Sequence, residues 1–472
     1  MNHDRSRTWI FASLATAIGA ALRLWFVHAY PVLDGDPLVY GDIAKNWLLH
    51  GVYGLSSQLI DGTAVVHPTL IRLPGYPLFV AICFKLFGIE NYRAVLYLQV
   101  LVDLASCFFI AGFVRRMWGA RAAGVALWLG ALCPFTSNYV AVPLTETLSV
   151  FCVALAFHGL LRLLENPTAG RLLVLAGAVS YAALLRPDGA LLGVVLIPAI
   201  VIYGRRQWGA AGIVRALKLA AICGAISVLP FIAWTIRNYR TFNVFEPLAP
   251  RYAVDPGESA TPGFNRWMKT WCVEFTSTYE IYWNANTDKL DIANVPARAF
   301  DSAEQQQRTA ELFEDYNQTA TLTPAIDDGF AAVAAERIRG HWLRYYFELP
   351  LLRVLDMGLR PRTESLPIDL RWWKYGEHPA QTIFAAGYAA LNLAYITAAI
   401  AGLLRWPRLA GAMAAFIVLR CLLLATLEAP ESRYTLELFP VLMALAASAL
   451  SRRSHQDAGH SLANDLGFGS SF

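Results

Sequence analysis

Two aspartates, Asp34 and Asp36, precede Arg72 in one polar stretch of this chain. Glu146, the triplet Arg186-Pro-Asp188 and the Glu431/Arg433 pair follow, each at the border of a long apolar run. A carboxylate at such a border can take the proton of a hydroxyl that is a poor nucleophile at neutral pH. An arginine there can grip phosphate oxygens through paired N–H bonds. Segments that only hold a chain in lipid need neither. The two residue types together suit chemistry on a charged headgroup at a membrane surface.

Each residue also has a plainer reading. The Asp36-Pro37 pair predicts a helix start with Asp36 as N-cap; Tyr40 and Ala44 then share one face, and Gly51 is the stop. A capping carboxylate can still act as a base. Arg72, ahead of the Pro74-Gly75 turn, is either an interfacial anchor with its head in water or a phosphate ligand. Glu146 follows Thr145, which can cap the helix that Glu146 begins, and its charge suits the positive helix end. Arg186, Asp188 and the Arg237-Asn238 pair end apolar runs, while Glu428, Glu431, Arg433 and Tyr434 introduce the last one. His67 reads as a surface histidine. Arg23 and Asp103 fall nearer mid-span, where an ionisable side chain is either functional or a brace for the bundle.

These residues must be positioned by membrane helices. The chain has 472 residues, 56% hydrophobic and only 16% charged, against about 25% in soluble domains. The net charge of +4 is too small to suggest a nucleic-acid partner, there is no basic run of that type, and none is expected. Arginine supplies 33 of the 39 basic residues, a usage common in GC-rich bacterial genomes. The seven cysteines fall almost entirely in apolar segments without metal-type spacing, so neither a disulfide framework nor a structural zinc site is expected. The first apolar run lacks a small-residue cleavage site and reads as a retained span.

A span needs roughly 20 apolar residues, which predicts crossings at 8–30, 92–114, 120–136, 146–164, 171–186, 188–204, 213–236, 378–404, 409–427 and 434–451. With the N-terminus inside, alternate connections carry Arg115, Arg116 and Arg121; Arg162 and Arg171; Arg205, Arg206 and Arg215; Arg405 and Arg408; Arg452 and Arg453. That is the positive-inside pattern, and it puts the carboxylate–arginine motifs outside. The organisation expected is a first transmembrane helix (1–30), a first outer loop with interfacial helices and the catalytic aspartate (31–91) and a transmembrane bundle (92–236). A large, partly helical outer loop (237–377), C-terminal transmembrane helices (378–451) and a disordered cytoplasmic tail (452–472) follow. The run 77–87 is too short to cross and is placed as an interfacial or re-entrant helix, and 328–357 has the spacing of a helix lying on a membrane surface.

The ordered motifs resemble the GT-C membrane glycosyltransferases that use polyprenyl-phosphate sugars, in particular the dolichyl-phosphate-mannose protein O-mannosyltransferases and the lipid A aminoarabinose transferases. The resemblance rests on Asp36, Tyr40 and Ala44 after the first span, Arg72-Leu-Pro-Gly-Tyr-Pro-Leu-Phe79 ahead of Leu86-Phe-Gly88, Leu144-Thr-Glu146 and Arg186-Pro-Asp188. It continues through Trp234-Thr-Ile-Arg-Asn238 and Glu431-Ser-Arg-Tyr434 with Pro440. It implies an all-α GT-C bundle of about 10–12 transmembrane helices and single-displacement transfer, with inversion, from a polyprenyl-phosphate sugar to a glycolipid, polysaccharide or protein acceptor. The setting it implies is the periplasmic side of a bacterial inner membrane. By its motifs Asp36, with Asp34 as rival, matches the family's essential acidic residue. Tyr40, Arg72, Glu146, Arg186, Asp188, Arg237, Glu431, Arg433 and Tyr434 are the candidate substrate contacts. The family often has Asp-Glu in its first loop and Pro-Pro where this chain has Leu73-Pro74. No cofactor pattern is evident, although some GT-C relatives use a divalent metal. The competing classes are a lipid or glycolipid flippase, which predicts broken mid-membrane helices and internal symmetry, and a noncatalytic scaffold that binds lipid phosphate.

Overall fold

Lipid-facing and core-facing apolar runs both favour helix, because a chain in hydrocarbon must satisfy its backbone polar groups internally. The computed structural model describes residues 2–58 and 63–451; the expected tail, with Arg452 and Arg453, lies outside the described residues. In order, the first half contains α1 (Asn2–Ala29), α2 (Asp36–His50), β1 (Gly54–Gln58), β2 (Ala64–Pro68), α3 (Gly75–Phe87), α4 (Tyr92–Trp118), α5 (Ala120–Ala131), α6 (Pro134–Tyr139), α7 (Glu146–Glu165), α8 (Ala169–Leu185), α9 (Ala190–Trp208) and α10 (Ile213–Phe242). The second half contains α11 (Pro262–Lys269), α12 (Phe275–Ser277), α13 (Ala303–Thr319), α14 (Pro324–Gly340), α15 (Leu349–Leu359), α16 (Pro379–Leu404), α17 (Ala410–Leu424) and α18 (Phe439–Leu450).

Among the described residues, seven helices are long and apolar enough to cross a membrane: Trp9–Ala29, Tyr92–Trp118, Glu146–Glu165, Pro187–Trp208, Ala210–Phe242, Pro379–Leu404 and Ser432–Leu450. The other three expected crossings fall on the shorter apolar helices α5, α8 and α17. The expected run 120–136 is divided by Pro134, which starts α6 after an extended Cys133. A proline disfavours helix at the residue before it. The last span likewise begins as a 3-10 stretch, Ser432–Leu438, before α18.

Helix α7 is apolar on nearly every face and is buried along most of its length, at the centre of the bundle, where it meets α4, α8, α9 and α18. Helix α1 instead exposes Trp9, Ile10 and Phe11, a lipid-facing surface. It is held by a buried ion pair in which Arg23 Nε donates to Asp103 Oδ2 of α4 at 2.7 Å. The same guanidinium donates to the carbonyls of Ala131 (2.9 Å) and Gly130 (3.1 Å) of α5. The pair thus braces three helices.

The first polar segment contains α2 and α3 and the antiparallel β1–β2 hairpin, with Gly54 opposite Pro68. Helix α3 reaches its site against α8 because Gly75 carries no side chain: a Cβ there would stand 2.6 Å from the Leu184 backbone. The segment 237–377 folds a separate core from Phe264, Trp267, Phe313 and Phe330 of α11, α13 and α14, with Trp271 from the turn after α11. Asp327 anchors it by accepting from Gly263 N (2.9 Å) and Phe264 N (2.8 Å) at the start of α11. The surface helix expected over 328–357 is therefore divided. Up to Gly340 its apolar residues enter this core; beyond it Trp342, Leu343, Tyr346, Phe347, Leu351 and Leu355 are exposed, in the manner of a helix lying at a membrane surface.

Candidate active site

The start of α2 sets the first functional group. Gly35, at φ 65°, takes the N-cap place, so Asp36 is the first helical residue and caps no backbone N–H. This differs by one residue from the capping role expected of Asp36, because the left-handed turn before Pro37 costs a glycine little. Freed from capping, the carboxylate turns to the loop that precedes α3. Arg72 Nη2 donates to Asp36 Oδ1 at 2.7 Å, and the Arg72 guanidinium also lies 5.9 Å from the centre of the Tyr40 ring. Tyr40 stacks edgewise on Tyr76, whose hydroxyl donates to Gln99 Oε1 at 2.7 Å, and Gln99 in turn donates to the carbonyls of Val140 and Val142. Asp34 is exposed and accepts from Gly35 N at 2.8 Å, apart from the cluster.

Arg433, at the start of the last span, joins the remaining parts. Its Nε is 2.6 Å from Glu431 Oε2 and 3.8 Å from Glu146 Oε1, and its Nη2 is 3.7 Å from Asp36 Oδ2. The Tyr434 hydroxyl donates to Glu431 Oε1 at 2.5 Å. Arg186, at the end of α8, pairs with Glu146 (3.3 Å) and Asp188 (3.1 Å), with its guanidinium 4.8 Å from the centre of the Tyr434 ring. Thr145 makes no capping bond at the start of α7; Glu146 is held by the arginines. Behind Asp188 stands Arg420 of α17, 2.7 Å from Asp188 and 3.0 Å from Glu437. Nine of the eleven candidate residues thus come together at one end of the bundle, Asp34 and Arg237 excepted. The Arg237 guanidinium donates to the carbonyls of Thr69 and Tyr53 and stacks on Tyr53, Trp234 and Phe242, fastening the first polar segment to α10.

The electrostatics divide the carboxylates. Burial raises the proton affinity of Asp36, but Arg72 and Arg433 outweigh it and hold the group below its usual value, while about a third of the side chain remains exposed. Burial pushes Glu431 up instead, against the pull of Arg433 and Tyr434. Burial likewise raises the Tyr40 phenol to about 12, so it is a neutral hydrogen-bonding group at neutral pH. Opposite shifts in one cluster are the arrangement that assigns acid and base roles. Among the described residues no set of three His, Cys, Asp or Glu side chains is arranged to hold a metal. Asp36, Glu146 and Glu431 all converge on the Arg433 guanidinium, which takes the place a divalent ion would need; as arranged, these residues do not fit a metal.

Four groups at or behind the site were missed in the sequence reading: Arg420, Glu437, Tyr139 and Glu364. Arg420 had a legible signal, an arginine in the middle of an apolar run. Glu437, inside the last apolar run, had the same signal; Tyr139 and Glu364 had none, because only the fold brings them near the cluster.

A protein-family profile described as dolichyl-phosphate-mannose-protein mannosyltransferase matches residues 66–234, less than half of the chain. No curated protein matches. Among solved structures, the archaeal oligosaccharyltransferase AglB from Archaeoglobus fulgidus, in complex with an inhibitory peptide and a dolichol-phosphate, superposes with a TM-score of 0.51 at 12% identity, over 99% of this chain and 53% of that one. The chain therefore spans about half the length of that protein. ArnT from Cupriavidus metallidurans gives 0.38 at 15% identity in the apo state (94% and 76% covered), and 0.35 at 14% when bound to undecaprenyl phosphate (97% and 80%). The chain is thus an integral membrane protein whose helical bundle has the fold of the matched half of AglB, and its residues 66–234 match the mannosyltransferase profile.

Proposed function

We propose that the protein is a glycosyltransferase that moves a sugar from a polyprenyl-phosphate donor to an acceptor hydroxyl at the outer face of the membrane. The observation that carries this reading is the convergence of Asp36, Arg72, Arg433, Glu431 and Glu146, from segments far apart in the chain, at one end of a membrane bundle. The fold neighbour AglB is described with a dolichol-phosphate, a lipid phosphate of the class invoked here.

In this reading the acceptor oxygen attacks the anomeric carbon while Asp36 Oδ takes its proton. The bond from that carbon to the phosphate oxygen breaks, and its electron pair leaves with the polyprenyl phosphate. Attack opposite the departing phosphate inverts the anomeric centre. The transition state is oxocarbenium-like, as in glycoside hydrolysis, and Arg72 and Arg433 stabilise the negative charge that grows on the leaving group. The same two arginines hold Asp36 in the free enzyme. A phosphate that draws them toward itself raises the basicity of Asp36 as the reaction needs it. Glu146 and Glu431 orient Arg433, and Arg186 with Asp188 supports Glu146.

The arginines support one side of the membrane for the site. Arg115, Arg116, Arg162, Arg205, Arg206, Arg405 and Arg408 lie at helix ends or connections opposite the site, which supports a periplasmic site in a bacterial inner membrane. Purified membranes supplied with isotopically labelled polyprenyl-phosphate sugars test the whole reading. Label should pass to an acceptor with stoichiometric release of lipid phosphate. Intact donor carried across the bilayer without release would instead identify a flippase.

A further inference from the structure

Close beside Arg433 lies a second polar cluster that the reaction as described does not use. The segment between α15 and α16 is pinned to the last span by Arg362, a buried residue at φ 61° that donates to Ser432 O (2.8 Å) and Thr435 Oγ1 (2.6 Å). This brings Glu364 against Ser432, whose Oγ donates to Glu364 Oε1 at 2.7 Å. Ser432 stands between Glu431 and Arg433, so Glu364 is one residue from the proposed phosphate clamp. Its other oxygen, Oε2, is buried with no hydrogen-bond partner. Asn138, at the end of α6, repeats the pattern: its Nδ2 donates to Ser365 Oγ at 2.5 Å, and its Oδ1 is buried and unpartnered. Tyr139, the next residue, is buried at the end of α6, where its carbonyl accepts from Thr147 Oγ1 next to Glu146 (3.4 Å).

Buried polar atoms without partners are uncommon and unfavourable in native proteins. Both orphans here are acceptors, so the group that completes them must donate. A phosphate offers only acceptors; a sugar offers hydroxyls, and the sugar is attached directly to the phosphate that Arg433 would hold. We infer that Glu364, with Asn138 and Tyr139 beside it, forms a hydroxyl-binding subsite that holds and selects the transferred sugar. The inference rests on the glycosyltransferase reading and adds a specificity-determining residue to it.

Glu364→Gln is the informative change, because glutamine keeps the size and can still accept from Ser432 while losing one charged acceptor. The full-length protein in lipid nanodiscs would be given a panel of undecaprenyl-phosphate monosaccharides, each with analogues lacking one ring hydroxyl, and release of undecaprenyl phosphate would be followed. The wild type should reject one analogue strongly, as sites built to bind a substrate hydroxyl do. Glu364→Gln should reduce that discrimination at least about tenfold, while binding of sugar-free undecaprenyl phosphate stays unchanged. Equal loss on every donor, weakened binding of undecaprenyl phosphate itself, or a change confined to acceptor choice would overturn the subsite. Wild-type protein that turns over no donor would overturn the glycosyltransferase reading and the subsite with it, whereas normal turnover with undiminished discrimination in Glu364→Gln would remove the subsite alone.

Discussion

Asp36 can be exchanged for asparagine with little change in shape, which isolates its charge. Asp36→Asn should lower transfer by about 10²–10⁴-fold, the usual contribution of a general base, with folded protein recovered at wild-type yield. Near-normal transfer by Asp36→Asn, with an inactive Asp34→Asn, would move the role to Asp34. The pH dependence has a defined sign. Arg72 and Arg433 outweigh burial and hold Asp36 below its ordinary value of 3.8, so the charged form is favoured in the folded state. The stability this confers is present above the ordinary value and is lost as pH falls through the folded one. The acid limb of kcat/KM, which reports the free enzyme, should therefore fall below pH 3.8 rather than in the range 5–7. At Arg72 and Arg433 lysine keeps the charge but loses the paired hydrogen bonds. Arg→Lys should be partly active and Arg→Ala nearly inactive, with the loss in donor use. Normal binding and turnover of donor by both alanine variants would leave these arginines as interfacial anchors.

At the scale of elements, the buried pair between α1 and α4 tests what braces the bundle. Removing Arg23 alone leaves the Asp103 charge buried and uncompensated, and breaking such a pair costs about 3–5 kcal/mol. Arg23→Ala should therefore unfold at a clearly lower temperature in detergent. Replacing both partners with apolar residues, as Arg23→Met with Asp103→Leu, should recover most of that loss, because the desolvation cost disappears with the charges. If the double variant is as unstable as the single, the carbonyl contacts to α5 rather than the ion pair hold α1. The hairpin β1–β2 was not foreseen because its strands are short and β1, Gly54–Gln58, lacks the alternation that signals a strand. It forms because Asn46 and Asp42 on α2 bond to Ser56 and Gly54, and Arg237 holds Tyr53 and Thr69 at the hairpin ends.

For the whole molecule the decisive measurement is sidedness. Glu304 is exposed on the helical unit formed by 237–377, and six of the seven native cysteines are buried. A Glu304→Cys variant should react with a membrane-impermeant maleimide in intact spheroplasts. Protection there, with labelling only after lysis, would reverse the orientation and move the site to the cytoplasmic side.

The apolar runs, their arginine-bearing connections and most of the cluster were legible in the amino-acid order, because span length, charge bias and the residue types of a phosphate site are all local properties. Asp36, Arg72, Glu146, Arg186, Asp188, Glu431 and Arg433 could each be singled out by position alone. Their partnership could not, since ion pairs among four distant segments depend on how the helices pack. Packing also decided that Asp36 would serve Arg72 instead of capping its own helix, and that Arg237 would fasten a loop beside the aromatic rings of Tyr53 and Trp234. It decided, too, that Glu364 would sit beside Ser432 with an oxygen left unpaired. A sequence states which side chains are charged; only the three-dimensional arrangement determines which charges neutralise one another and which remain for a ligand.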